Sequence, residues 1–376
     1  MVLPGATIGF LGGGQLGRMT GLAALSMGYR VAVLDPDPEA PAKAVADHLI
    51  TARFDDERAA AELAERCGVV TLEIEQISRL TIEAAARFAP VRPGAEPVWV
   101  IQDRGRQKEF LQRHGFPLGP FRVVERPEDV ALAVTELGPS VVKSCFGGYD
   151  GRGQARVQEA AEGAAAFAAV GGRRMVVEQF LDIALECSVL VARQGRTRTV
   201  AYAPAENHHE NGILSWSVHP ARIDPDLARE AVQVATGIAE ALGIEGLLAV
   251  ELFVLQDGRL VVNELAPRPH NSYHATDRSC PTSQFEQLVR AVCNLPLGSV
   301  EIVTPAAIVN LLGEAWNHPR GPDAAAALAV PGVRLHLYGK REARPGRKMG
   351  HLSAIGTTPD EALARARRAF TAFSRG

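Results

Sequence analysis

The sequence predicts an α/β protein of two or three domains, and three observations carry that prediction. Through the first hundred residues, short apolar runs alternate with helical patterns, which implies a parallel sheet with helices packed on it. Pro90, Pro93, Gly94 and Pro97 then punctuate the chain. From Met175 onward strand patterns dominate. A length of 376 residues suits that division at roughly 100–200 residues per domain.

The elements follow in order. Thr7 to Leu11 reads as a strand and Gln15 to Met27 as a helix. Arg30 to Leu34 is a second strand, closed by Asp35-Pro36-Asp37-Pro38. Asp56 to Arg66 is helical, and Val69 to Ile74 is another strand. The prolines set a boundary near residue 97. Beyond it, a helix over Asp103 to His114 precedes a strand at Phe121 to Val124, a helix opened by Pro127 and a strand at Ser140 to Lys143. This is another β-α-β alternation. Strands Met175 to Phe180, Cys187 to Ala192, Thr199 to Ala203 and Gly212 to Val218 come next, then a long helix from Asp226 to Leu242. Leu247 to Leu255, Arg259 to Leu265, Ala307 to Leu311 and Val333 to Tyr338 are strands, and Pro359 to Phe373 is the last helix.

Composition excludes several classes. Lys and Arg number 40 against 43 Asp and Glu, a formal net charge of −3, which argues against a nucleic-acid coat or a basic membrane patch. Hydrophobic residues at 47% and charged residues at 22% argue against extensive disorder. No apolar run approaches the ~18–20 residues of a membrane span, and Met1 to Gly5 carries no basic leader. Cys67, Cys145, Cys187, Cys280 and Cys293 form no C-x-x-C pair, so reduced thiols in a cytoplasmic protein are expected.

Three constellations carry chemistry. Gly12-Gly13-Gly14-Gln15-Leu16-Gly17 fits G-x-G-x-x-G between a strand and a helix, with Asp35 about 20 residues on. Taken alone it is a dinucleotide fingerprint, and equally a tight turn with another use. The second is a hairpin. Asp257-Gly258 between apolar runs is a two-residue turn signal. Such a turn sets Glu251 opposite Glu264, with Phe253, Leu255, Leu260 and Val262 on the same side. Facing carboxylates repel, so a proton, a cation or a basic side chain must offset them. Magnesium suits oxygen donors and retains phosphate oxygens as further ligands. The third is Lys143 to Gln154, a strand end and a loop with four glycines, Lys143 and Arg152. Its backbone N–H groups and cations suit phosphate, although no Gly-Lys-Ser/Thr ends it.

Lys143, the loop Gly147 to Gln154, Glu178-Gln179-Phe180-Leu181 and the Glu251/Glu264 hairpin resemble the ATP-grasp superfamily. Further motifs narrow the resemblance to the 5-(carboxyamino)imidazole ribonucleotide synthase family, also described as the ATPase subunit of phosphoribosylaminoimidazole carboxylase. These are Gly12 to Met19, Gly148-Tyr149-Asp150-Gly151-Arg152-Gly153-Gln154, Asn263-Glu264-Leu265-Ala266-Pro267-Arg268, His270-Asn271-Ser272, Thr282 to Glu286 and Arg344 to His351. They run over nearly the whole chain in the expected order.

The resemblance implies a three-domain ATP-grasp fold: a Rossmann-like N-terminal domain (1–97) that binds no nicotinamide, a central lobe (98–180), and a C-terminal lobe with a small subdomain (181–376). ATP would lie between the lobes, lined by Arg104, Lys143, Gly148, Tyr149, Asp150, Gly151, Arg152, Gly153, Gln154, Glu178, Gln179, Phe180, Leu181, Glu186, His209, Asn263 and Glu264. Glu251 and Glu264 would hold Mg2+. The ribonucleotide and its carboxylate would meet Tyr149, Asp150, Arg152, Arg268, His270, Asn271, Lys340, Arg347 and Lys348. Arg268, Lys143 and Asp150 would be catalytic. The implied reaction joins bicarbonate to the amine of 5-aminoimidazole ribonucleotide. A homodimer through the N-terminal domain and hand-off of a labile product to a mutase belong to the same expectation.

Two positions depart from the family pattern. Gln76 stands where Asn is usual, which would alter a substrate-side contact, and Tyr273 where Gly is usual, which would narrow the site. Alternatives are a formate-dependent glycinamide ribonucleotide transformylase, a nicotinamide-dependent oxidoreductase resting on Gly12 to Gly17, and a nucleotide-binding regulator without turnover. Glu251, Glu264 and Lys143 speak against the last.

Overall fold

The computed structural model describes residues 1–147, 153–195, 197–317, 319 and 321–374. Its first sheet forms from buried runs of Val, Ile and Leu. β1 (Thr7–Leu11), β2 (Arg30–Asp35), β3 (His48–Thr51) and β4 (Val69–Leu72) are parallel in the order β3-β2-β1-β4. Helices Gln15–Ser26 and Glu57–Glu65 cover it. Pro97, at the expected boundary, lies in the first turn of the helix Ala95–Ile101, where a missing N–H costs no intrahelical bond.

The second sheet joins β5 (Phe121–Val124), β6 (Ser140–Ser144), β7 (Gln154–Val157) and β8 (Met175–Gln179) in the order β5-β8-β6-β7. The strand–helix–strand run from Phe121 to Ser144 therefore makes no adjacent parallel pair. β8 inserts between β5 and β6 and pairs with both antiparallel.

The third sheet is antiparallel and largest. It contains β9 (Ile183–Gln194), β10 (Arg198–Ala201), β11 (Ala205–Glu210), β12 (Ile213–His219), β13 (Gly246–Leu255), β14 (Leu260–Ala266), β15 (Ala306–Leu312), β16 (Val333–Leu337) and β17 (Lys348–Ile355). The path is β14-β13-β9-β11-β12-β15-β17-β16, with β10 on β9. One face of β9, β13 and β14 packs Val189, Val191, Leu252, Val262 and Leu265 against the helix Pro225–Ala241. β11 and β17 had no apolar alternation to announce them, because Asn207, His351 and Ser353 are buried polar residues.

One core crosses from the first sheet to the third. Ile8, Phe10 and Val31 share a cluster with Leu190, Leu247, Leu288 and Tyr273. Arg92 ties the same interface, donating to Glu245 Oε2 at 2.8 Å and to the Val292 carbonyl at 2.5 Å. The side chain of Tyr273 is part of that core and does not narrow a cleft. It is fully buried, with its hydroxyl 2.7 Å from the Ser188 carbonyl oxygen and 2.9 Å from that of Ala203. The five cysteines are free thiols. Among the described residues no helix is long and apolar enough to cross a membrane.

Tyr273→Phe removes a buried hydrogen bond while keeping the ring. Unfolding in urea is expected to show a loss of about 1 kcal/mol, with the far-ultraviolet circular dichroism of the folded protein unchanged. An unaltered midpoint would mean the hydroxyl contributes nothing to this core.

Candidate active site

The cleft is assembled around the helix Arg104–Arg113. Asp103 caps its start, accepting from Arg106 N at 2.8 Å, and is itself gripped by Arg174 Nη1 at 2.8 and 2.9 Å. A capped, buried helix end fixes the residue that follows. Arg104 then donates to the Ser144 carbonyl at 3.1 Å and to Glu264 Oε2 at 3.4 Å. One turn on, Lys108 lies 3.3 Å from Glu178 Oε2.

The hairpin β13–β14 brings Glu251 opposite Glu264, but by a different route from the sequence expectation. Leu255 N bonds to Arg259 O, so the turn is three residues long, Gln256 to Gly258. The register is restored by a bulge between Glu251 and Leu252. Leu260 and Val262 therefore pair with Val254 and Leu252 and face the apolar core with them, not the carboxylates. The extra residue is Asn263. Its amide nitrogen donates to Glu251 Oε2 at 3.3 Å, and its oxygen accepts from Lys143 Nζ at 3.5 Å.

Beside the carboxylates a polar face continues across the sheet. His270 Nε2 meets Glu251 Oε1 at 3.0 Å, and His270 Nδ1 meets Ser272 Oγ at 2.8 Å. Ser272 Oγ reaches Ser188 Oγ at 2.8 Å, which accepts from Asn207 Nδ2 at 3.0 Å. Glu186 accepts from His209 Nδ1 in a short contact, both projecting from neighbouring strands. Both amide atoms of Asn271, a residue only 8% exposed, are buried without a partner among the described residues. An unsatisfied buried amide is costly and suits a ligand's hydrogen bonds. Arg268 makes a two-point pair with Glu75, at 2.6 and 3.1 Å.

The other residues expected in the site have contacts of their own. Gln179 turns its amide to the Leu137 carbonyl, and Phe180 is 49% exposed beneath Arg156. Leu181 packs against Gly119. Lys340 sits over the Tyr338 ring at 5.7 Å, and Arg347 donates to the Glu342 carbonyl at 3.0 Å. Lys348 opens β17, near enough for its charge to act on Glu251 and His209. Gly153 accepts from Ser144 N at 2.8 Å, and Gln154 opens β7 opposite Lys143. Gly148, Tyr149, Asp150, Gly151 and Arg152 lie outside the described residues. Gln76 is exposed.

Sequence reading missed Glu73, Glu75 and Lys108. The first two follow the C-terminal end of β4, where open α/β sheets gather ligands, and that position was the available signal. Glu73 has a specific consequence. Its carboxylate accepts from Gly14 N at 2.7 Å and Gly17 N at 3.0 Å, so the donors that a dinucleotide phosphate would use hold a side chain of the same chain.

Burial and charge set the protonation states. Burial drives Glu178 up, but Lys108 and Lys143 outweigh it and hold its carboxyl down to about 2. Burial also drives Glu251 up, and there His270, with His209 and Lys348, prevails and lowers it. For Glu264 burial wins, helped by the charges of Glu251 and Glu75 against Arg104, and its carboxyl is raised. Its side chain still keeps 39% of its exposure, because it lines a cleft with protein close on several sides. Two hard carboxylates and an amide oxygen suit a magnesium ion that keeps phosphate and water as further ligands. Among the described residues no three His, Cys, Asp or Glu side chains form a ligand cage of their own.

A parallel α/β domain, a central antiparallel lobe with a lysine strand, and a carboxylate hairpin on a large sheet define an ATP-grasp enzyme. Matching domain families agree: residues 5–102 fit the ribonucleotide synthetase preATP-grasp domain, 109–285 the ATP-grasp domain, and 306–365 the phosphoribosylaminoimidazole carboxylase C-terminal domain. The N5-carboxyaminoimidazole ribonucleotide synthase of Bacillus subtilis (strain 168) is 40% identical over 363 residues, covering 96% of this chain and 94% of its own. A solved Staphylococcus aureus N5-carboxyaminoimidazole synthetase complexed with ADP matches with a TM-score of 0.92 at 35% identity over 98% of both chains. An Aspergillus clavatus N5-carboxyaminoimidazole synthase in complex with ADP and 5-aminoimidazole ribonucleotide matches at 0.90 and 32% identity over 99% of both. The chain belongs to the N5-carboxyaminoimidazole ribonucleotide synthase family of ATP-grasp ligases.

Two outcomes are expected. Glu178 is depressed from an ordinary 4.5 to about 2. Its ion pairs therefore stabilise the fold fully above 4.5 and are lost as pH falls towards 2. Circular dichroism should show a loss of stability across that window that Glu178→Gln flattens. Glu264 is shifted the other way, so its ionisation destabilises the ligand-free fold as pH rises through its folded value. Glu264→Gln should melt higher than the parent at pH 8, with the gap closing in mild acid. A lower melting point at pH 8 would contradict the assignment of strain to this carboxylate.

Proposed function

We propose that this chain carboxylates the amine of 5-aminoimidazole ribonucleotide, using ATP and bicarbonate and releasing ADP and phosphate, in de novo purine (IMP) biosynthesis. The observation that carries the reading is the Glu251/Glu264 pair, with Asn263 between it and Lys143, in one cleft. Bicarbonate is a poor electrophile. Transfer of the γ-phosphoryl group to a bicarbonate oxygen breaks the bond to ADP and makes carboxyphosphate, whose phosphate is a good leaving group. The amine nitrogen then attacks the carboxyl carbon, phosphate departs and the nitrogen loses a proton.

Positioning and charge neutralisation are the protein's share of such chemistry. ATP would bind between the central lobe (98–180) and the C-terminal lobe (181–376), beside the N-terminal domain (1–97). Lys143 and Arg104 would meet its phosphates. Magnesium held by Glu251 and Glu264 would supply Lewis-acid stabilisation of phosphate charge. Arg268, fixed by Glu75, would face the transferring phosphoryl or carboxylate group. His270, Asn271 and Lys348 would meet the ribonucleotide, and the two unpartnered amide atoms of Asn271 support that role. Lys340 and Arg347 would supply further cations for the ribose phosphate. A cytoplasmic homodimer that passes its labile product to a mutase completes the reading.

ADP release is expected to require the ribonucleotide, and the substrate amine should disappear only when bicarbonate is present. Release indifferent to both would leave the substrate open and bring formate forward. In the same assay Glu264→Gln should lower turnover by about 100-fold or more while the protein stays folded.

A further inference from the structure

The buried lysine of the cleft has no part in the chemistry above. Lys108 is only 3% exposed. Its ammonium lies 3.3 Å from Glu178 Oε2, while Lys143 holds the other oxygen of the same carboxylate at 3.2 Å. It also donates to the Val262 carbonyl at 3.4 Å, on the edge strand that carries Asn263 and Glu264. Burying an ammonium is costly unless it is paired, so this one is held where it is by Glu178.

We infer that Lys108 is a positioning residue of the nucleotide site: it fixes Glu178 from behind, so that the carboxylate's other oxygen aims Lys143 into the cleft. The inference rests on reading that cleft as the nucleotide site. Lys108 holds one oxygen of Glu178 and Lys143 the other. Lys143 keeps further N–H donors for a phosphate while the carboxylate stays in place. Lys108 comes from the helix Arg104–Arg113, Glu178 from β8 and Lys143 from β6, so the chain of contacts links the helix to two strands of the central lobe.

A packing role predicts otherwise. A lysine that only fills space, or only satisfies the Val262 carbonyl, acts independently of Glu178. The test is therefore a double-mutant cycle read by equilibrium ADP binding across pH 6 to 8.5. Lys108→Met is expected to weaken ADP by about tenfold or more. The loss should be no smaller at pH 6 than at pH 8.5, because removing one cation moves the Glu178 carboxyl up from its low value. Lys108→Arg should recover most of the affinity. In a Glu178→Gln background the further change Lys108→Met should cost under about twofold.

Undiminished loss in that background, or parental ADP affinity in Lys108→Met, overturns the inference. If Lys108→Met alone does not fold, the double variant carries the test, since it removes both members of the Lys108–Glu178 pair. Equal ADP affinity in Glu178→Gln and the double variant then supports positioning, and a further tenfold loss refutes it. Failure of the parent protein to bind ADP would instead remove the nucleotide reading itself.

Discussion

The site depends on one extra residue in β14. From the turn outward the hairpin pairs so that Val254 meets Leu260 and Leu252 meets Val262. Continued without interruption, that register would turn Glu264 onto the face of Val250 and Leu265, among apolar side chains. A one-residue slip exchanges the faces of every later side chain. The bulge makes that slip at the right place. It sends Glu264 to the cleft beside Glu251, returns Leu265 to the core and leaves Asn263 between two charges. The same insertion thus settles the carboxylate pair and its neutral bridge.

β14 is also the edge of its sheet, with outward backbone groups that need partners. Val262 N donates to the Pro117 carbonyl, Val262 O accepts from Lys108, and Leu265 N donates to Gln107 Oε1. These contacts flank the bulged residues on both sides. The helix Arg104–Arg113 therefore does two things at once: it covers an edge and aims Arg104 at Glu264. Edge protection and active-site geometry are one constraint here, which is why this helix is capped by an aspartate that Arg174 also holds.

What was legible in the sequence follows from the range of the interactions. The Asp257-Gly258 turn, the Lys143 strand and the parallel alternation of the first sheet are local patterns, and the elements they announce are present. The facing of Glu251 and Glu264 was also readable, although through a wrong turn length that the bulge compensates. A bulge has no local apolar signal, so the accompanying assignment of Leu260 and Val262 failed. β11 and β17 were hidden because they bury Asn207, His351 and Ser353 rather than alternating apolar with polar. Tyr273 read as an intrusion on the cleft, whereas its ring completes a core drawn from two sheets. Such contacts span a hundred residues or more, and no short window contains them.

The first glycine cluster makes the same point about chemistry. A Cβ at Gly12 would come within 2.6 Å of the Glu73 side chain, and one at Gly14 within 2.5 Å. Gly12 further has a φ of +100°, which disfavours any other residue. These glycines are required by the approach of a carboxylate, and the helix N-terminus beyond them finds its anion in Glu73. A phosphate there would have to displace a half-buried side chain. The turn is the one that dinucleotide-binding domains use, and the physical demand for an anion is the same. The residue that meets the demand stands 59 positions away, so the motif alone cannot say whether the anion comes from a ligand or from the chain.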